Sequence, residues 1–113
     1  MFTFTFERVY DAEKLKKTIQ YAQKWLDNEV LKRSEPYTPL LTGALRDSSS
    51  LNTTIGSGLI VWRTPYARRR YYETKIGSPR GAKRGGYWFA RMKKDNIKVL
   101  HDGVFKIIHD GIK

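Results

Sequence analysis

Phe2, Phe4 and Phe6 alternate with Thr3 and Thr5, a period of two that predicts a strand with one aromatic face. The period then changes. Asp11 is placed to cap a helix in which Leu15, Ile19, Ala22, Leu26 and Val30 recur at steps of three and four, one apolar stripe on a helix of about 20 residues. Lys16, Lys17, Gln20, Lys24 and Asp27 fall on the polar side of that helix. Pro36 and Pro39 end it and force an extended connection.

The next stretch, Thr42 to Arg46, reads as a single helical turn with Thr42 as its cap. Ser49 to Ile55 and Leu59 to Trp62 flank Gly56-Ser57-Gly58, which predicts a hairpin. Pro65 fits the first turn of a helix running from Tyr66 to about Lys75. Residues 77–86 carry four glycines, a proline and three cations, a composition expected of a mobile basic surface loop. Tyr87-Trp88-Phe89 restarts the core, and Phe89, Met92, Ile97, Leu100, Val104 and Ile108 suit a C-terminal helix with Gly103 as its weak point. The order strand, helix, hairpin, helix, helix predicts an α+β fold, a small antiparallel sheet with a long hairpin packed against the N-terminal helix and further helices.

A chain of 113 residues has room for one domain, residues 1–113. Its apolar share of 40% can build one modest core, so it is not a disordered tail. No cysteine occurs, which excludes disulfides, thiolate zinc sites and cysteine nucleophiles. No apolar run approaches the roughly 20 residues of a membrane helix, and the N-terminus lacks the basic start of a signal peptide. A soluble protein made in a cytoplasm, with no membrane partner, is the expectation.

The net charge of +11 is unevenly spread. Residues 1–62 hold eight Lys/Arg against seven Asp/Glu, and residues 95–113 hold three of each. Residues 63–94 hold eleven cations against Glu73 alone. The excess therefore lies in one segment, and it points to a polyanionic partner, either nucleic acid or an acidic protein surface.

Catalytic constellations are not legible. His101-Asp102-Gly103 is echoed by His109-Asp110-Gly111, but a spacing of eight sets the histidines roughly 12 Å apart on a helix. Two such ligands without a third from elsewhere make no closed metal site. Ser48-Ser49-Ser50 has no nearby base, and the glycine-rich stretch lacks a Walker-type ending. Glu73 is expected to pair with Arg69 or Arg70 rather than act as a base. No cofactor is implied. The aromatics are more telling: Tyr66, Tyr71, Tyr72, Tyr87, Trp88 and Phe89 interleave with Arg68, Arg69, Arg70, Arg80, Lys83 and Arg84. That mixture suits both single-stranded nucleic acid and protein hot spots. Adjacent Tyr71 and Tyr72 cannot both face one core from a helix, which leaves one for an interface.

Three segments in order resemble a known family. They are Pro39-Leu40-Leu41-Thr42-Gly43-Ala44-Leu45-Arg46-Asp47-Ser48, then Ile60-Val61-Trp62-Arg63-Thr64-Pro65-Tyr66-Ala67 continuing to Tyr71-Tyr72, then Ala82 followed by Trp88-Phe89. This pattern resembles the minor capsid or head–tail joining proteins of long-tailed bacteriophages, over about residues 15–100. The motif positions Thr42, Gly43, Leu45, Trp62, Pro65, Tyr66, Trp88 and Phe89 read as fold signatures rather than active-site residues. The resemblance implies a non-enzymatic virion subunit at the neck, assembled in the bacterial cytoplasm. It also implies a homo-oligomeric ring of six or twelve copies that meets connector or head-closure and tail-tube proteins. Arg68, Arg69, Arg70, Arg80, Lys83 and Arg84 are the expected contacts with such a neighbour or with passing DNA. The alternative is a sequence-nonspecific nucleic-acid-binding module.

Overall fold

A computed structural model describes residues 12–40 and 43–111. The predicted strand at Phe2–Phe6 and the caps at Asp11 and Thr42 lie outside the described residues. The elements are helix α1 (Ala12–Ser34), a 3-10 turn (Glu35–Tyr37), helix α2 (Ala44–Asn52), helix α3 (Ala67–Tyr71), strands β1 (Ile76–Ser78) and β2 (Gly81–Gly85), and helix α4 (Trp88–Gly111). The α+β class holds, with a two-stranded antiparallel sheet beside four α-helices among the described residues.

Helices α1 and α4 run antiparallel. Arg33 donates to Asn96 at 2.9 Å, Trp25 packs over Gly103, and Thr18 meets Gly111. Together they form a stalk whose upper half enters a head built from residues 35–87. The core lies where the stalk helices enter the head: Val30 of α1, Tyr37, Leu45 and Ala67 of the head, and Trp88, Met92 and Leu100 of α4 are all buried.

The stalk departs from its predicted stripes in an instructive way. Ala22 and Val30 are buried, but Ile19 is half exposed, and Thr18, Asp27 and Ser34 take buried positions on α1. Two helices alone cannot cover a wide apolar stripe. At close approach the seam instead favours small side chains, and Thr18 satisfies its hydroxyl by donating to the Lys14 carbonyl at 2.8 Å. On α4 the buried line runs Trp88, Met92, Leu100. Asn96 fills the intervening position, donating to the Met92 carbonyl, while Ile97 is displaced to the outside. Gly103, expected to weaken α4, is where the Trp25 ring presses on the helix, and an added Cβ would collide with it.

The hairpin is not where the sequence placed it. Ser49 to Asn52 belong to α2, which is nine residues long rather than one turn. Ser48 and Ser49 donate to the carbonyls of Leu45 and Arg46, and Asn52 to that of Ser48, at 2.7–2.9 Å. The hydroxyls that suggested a strand thus fold back on helical carbonyls. The cap position is held by Gly43 at φ 84°. Residues 59–63 are in neither helix nor strand.

The Gly56-Ser57-Gly58 turn wraps a carboxylate. Asp27, expected on the polar side of α1, is 2% exposed. Its Oδ2 accepts the backbone N–H groups of Gly56 at 2.8 Å and Gly58 at 3.1 Å, and its Oδ1 accepts from Gln23 at 2.8 Å. Both glycines hold positive φ, 97° and 77°, which other residues adopt only with strain.

The antiparallel hairpin is β1–β2, inside the stretch whose composition suggested a loop. Helix α3 is accordingly shorter than predicted, ending at Tyr71. The chain leaving β2 needs its end: Tyr87 N–H donates to the Tyr71 carbonyl at 2.6 Å, and Gly86 packs against the Glu73 carbonyl with no room for a side chain.

Candidate interaction surface

An aromatic spine runs from the core to the surface of the head. Buried Trp88 takes Tyr71 edge-on at a centroid distance of 4.7 Å and Trp62 at 5.7 Å. Phe89 meets Trp62 at 6.4 Å. Tyr71 in turn packs on Tyr72 at 5.4 Å and Tyr87 at 5.5 Å, and those two meet at 5.8 Å. Edge-to-face geometry of this kind adds about 1 kcal/mol per pair beyond the area buried. Tyr71 faces inward and Tyr72 outward with 59% of its surface exposed, so the adjacent tyrosines do divide between core and surface. Tyr87 holds φ 52°, a left-handed conformation at the corner where the hairpin turns into α4. Of the motif residues, Leu45 and Trp88 are buried, Trp62, Tyr66 and Phe89 pack half-buried against the core, and Pro65 sits exposed in the turn before α3.

Lys93 and Lys94 are exposed on α4, and the other nine cations of residues 63–94 divide into two sets. One set ties the hairpin to the turn after α1. Arg84, its side chain only 10% exposed, donates through Nη1 to the carbonyls of Glu35 at 2.7 Å and Thr38 at 2.8 Å. Its Nη2 meets the Glu35 carboxylate at 2.8 Å. Arg80 donates to the Leu40 carbonyl at 2.8 Å. Lys83 and Arg91 lie over the Tyr37 ring at 5.3 and 5.6 Å, a cation–π arrangement. Arg91 also donates to the carbonyls of Gly86 and Lys83. Arg70 pairs with Glu73 at 3.3 Å, the partner expected for that acid.

Arg68 and Arg69 form the other set, together with Arg63 and Lys75. They are exposed on or beside α3 and make no ion pair among the described residues. The six expected contact residues are therefore not equivalent: Arg68 and Arg69 point to solvent, whereas Arg84 is built into the head. Glu35 and Tyr37, which hold the other ends of this clamp, were not singled out from sequence. The signal was the Glu35-Pro36-Tyr37 corner, read only as a helix stop.

The fork of Arg84 reaches two carbonyls and a carboxylate at once, which a lysine ammonium cannot reproduce. Arg84→Lys is expected to lower stability by about 2 kcal/mol, measured as a shift in urea midpoint at constant slope.

Tyr37 carries a link sensitive to alkaline pH. Its hydroxyl donates to Asp95 Oδ2 at 2.6 Å, and that bond, aided by burial and by the Asp95 charge, raises its pKa above 10.0. The protonated form is the one the fold holds. Its contribution is complete below about pH 10, the ordinary tyrosine value, and is lost as pH rises through the higher folded value. The melting-temperature advantage of the native chain over Tyr37→Phe is therefore expected to be constant up to about pH 9 and to shrink above pH 10.

The histidines lie on exposed positions of α4. His101 Nδ1 is 3.7 Å from Asp102, both side chains being more than half exposed, and Phe105 stacks between His101 and His109. Among the described residues no group of three or more His, Asp or Glu is placed to hold a metal ion, and no helix is long and apolar enough to cross a membrane.

The minor capsid protein family matches residues 7–101, a stretch that takes in the whole head and most of the stalk. The chain belongs to the minor capsid protein family. It is thus a structural protein of the bacteriophage virion, and the three segments that carry the resemblance all fall within the matched residues. In this family member they form the α2 entry, the Trp62 segment running into α3, and the α4 start, which all contribute to one core cluster. No curated protein and no solved structure matches the chain.

Proposed function

We propose that this minor capsid protein is a ring-forming subunit at the junction between phage head and tail, joining the two through its head. The observation that carries this reading is the surface end of the aromatic spine. Tyr72 and Tyr87 are exposed beside unpaired Arg68 and Arg69, and Tyr and Arg are the residues that dominate protein interfaces. A closed ring, of six or twelve copies, requires a heterologous interface in which one face of a subunit meets a different face of the next. The spine supplies one such face. Its buried root at Trp88 fixes the exposed tyrosines, so binding costs little side-chain ordering. In this reading the protein has no catalytic role and needs no cofactor. Its partners are its own copies and the connector, head-closure and tail-tube proteins on either side.

A nucleic-acid role is the second reading, favoured by the same unpaired cations. A channel through which DNA must slide is slowed by strong phosphate binding, and two of the cations, Arg84 and Arg91, are already committed to carbonyls of the head.

Electron microscopy of lysates from a phage lacking this gene tests the joining role. Separate filled or leaking heads beside free tails are expected. Intact infectious particles would refute it. The nucleic-acid reading then stands on DNA affinity whose logarithm falls with log salt at about −0.9 per phosphate neutralised, and which is lost in Arg68→Ala/Arg69→Ala.

A further inference from the structure

The run Leu59–Arg63 belongs to no sheet, yet it is held like a strand on one side. Val61 N–H donates to Thr53 Oγ1 at 3.0 Å and Arg63 N–H to Ser48 Oγ at 3.2 Å. Bonds at alternate residues are the mark of extended chain, in which successive amides point to opposite edges. The hydroxyls of Ser48 and Thr53 thus stand in for a neighbouring strand on the edge of residues 61 and 63. On the opposite edge, Ile60 and Trp62 make no backbone hydrogen bond among the described residues. Unpaired N–H and C=O groups in a row are a template for strand addition.

Side-chain pockets accompany this edge. Two clefts of about 340 and 350 Å³ share Ile60, Trp62 and Tyr71 as walls. Leu59 is 64% exposed at one end, and Tyr72 at the other. The surroundings are cationic: Arg68 lines one cleft, and its chain neighbour Arg69 and Arg63, next to Trp62, are exposed, while the one acid of that segment, Glu73, is held by Arg70.

We propose that Leu59–Arg63 is an open strand edge that accepts an extended acidic segment of a neighbouring protein, with alternate apolar side chains seated in the two clefts. A nucleic acid offers no main-chain ladder for this edge and no apolar side chains for the clefts, whereas an extended acidic peptide matches both and the cationic surroundings. The edge shares Tyr72, Arg68 and Arg69 with the face given to the ring, but the two readings fail separately. A chain that binds such a peptide but proves dispensable for joining heads to tails keeps this property and loses that one.

The test uses the full chain and a ten-residue synthetic peptide alternating valine and glutamate. In nuclear magnetic resonance titrations the amides of Ile60 and Trp62 are expected to shift and their hydrogen exchange to slow on binding, with Trp62 emission changing in parallel. A peptide alternating valine and lysine is expected to bind about tenfold more weakly, the sum of a few surface charge pairs. In Arg68→Glu/Arg69→Glu, whose changes lie on the surface, that order of preference should reverse. Three results would overturn the proposal. They are no binding of the valine–glutamate peptide, equal binding of both peptides, and protection of the Ile60 and Trp62 amides in the free chain, which would mean that the edge is already occupied by its own chain or a second copy.

Discussion

Replacing Trp88 with alanine is expected to cost about 4 kcal/mol, the usual loss for deleting a buried indole and leaving its cavity. The side chain is 1% exposed and touches both Trp62 and Tyr71. A domain of this size has of order 5–15 kcal/mol in total, so the variant should keep only a small margin of stability, or lose the head and retain its helical stalk. Denaturant unfolding followed by circular dichroism and by the fluorescence of Trp62, with Trp25 of the stalk replaced by phenylalanine, reads the two possibilities apart. Coincident transitions at a lower midpoint mean that head and stalk fail together. A helical signal outlasting the fluorescence change means that only the head is lost. A cost below about 1 kcal/mol would show that the spine does not root in the core as described.

Asp27→Ala is expected to cost about 3 kcal/mol, since it strips a buried, charged acceptor from two part-buried backbone N–H groups at once. The cavity left by so small a side chain adds little. Asp27→Asn keeps one acceptor oxygen for the glycine amides and should cost only about 1 kcal/mol. Thermal melts give the difference, and amide shifts of Gly56 and Gly58 report whether the turn has come away from α1. Similar losses in the two variants would mean that the charge, rather than the acceptor geometry, holds the turn.

The helices were legible because their signal is local. Periodicity located α1 and α4, and the prolines located the break between them. What escaped the pattern depends on partners distant in the chain. Nothing near Asp27 says that a turn some thirty residues later will present two amides to it. The serines of α2 have a strand-like composition, and only the 2.7–2.9 Å bonds to preceding carbonyls decide for helix. Gly77 to Gly86 looked structureless because its residues bury little by themselves. The order comes from Arg84 reaching back to Glu35 and Thr38, a long-range tie that composition cannot carry. The same holds for the surface: the density of charge in residues 63–94 was plain, but which arginines face solvent was decided by carbonyls contributed from the turn after α1.

The antiparallel stalk also has a mechanical meaning. The N-terminal end of α1 and the C-terminal end of α4 lie together at the tip, with Thr18 against Gly111. Tension applied between the two ends would part the helices like a zipper, one contact after another from the tip. Each step then resists only with its own small contact energy, and the aromatic head is not loaded until the pairs at Trp25 and Arg33 have opened. Force applied through the faces of the head would instead be shared by many contacts at once.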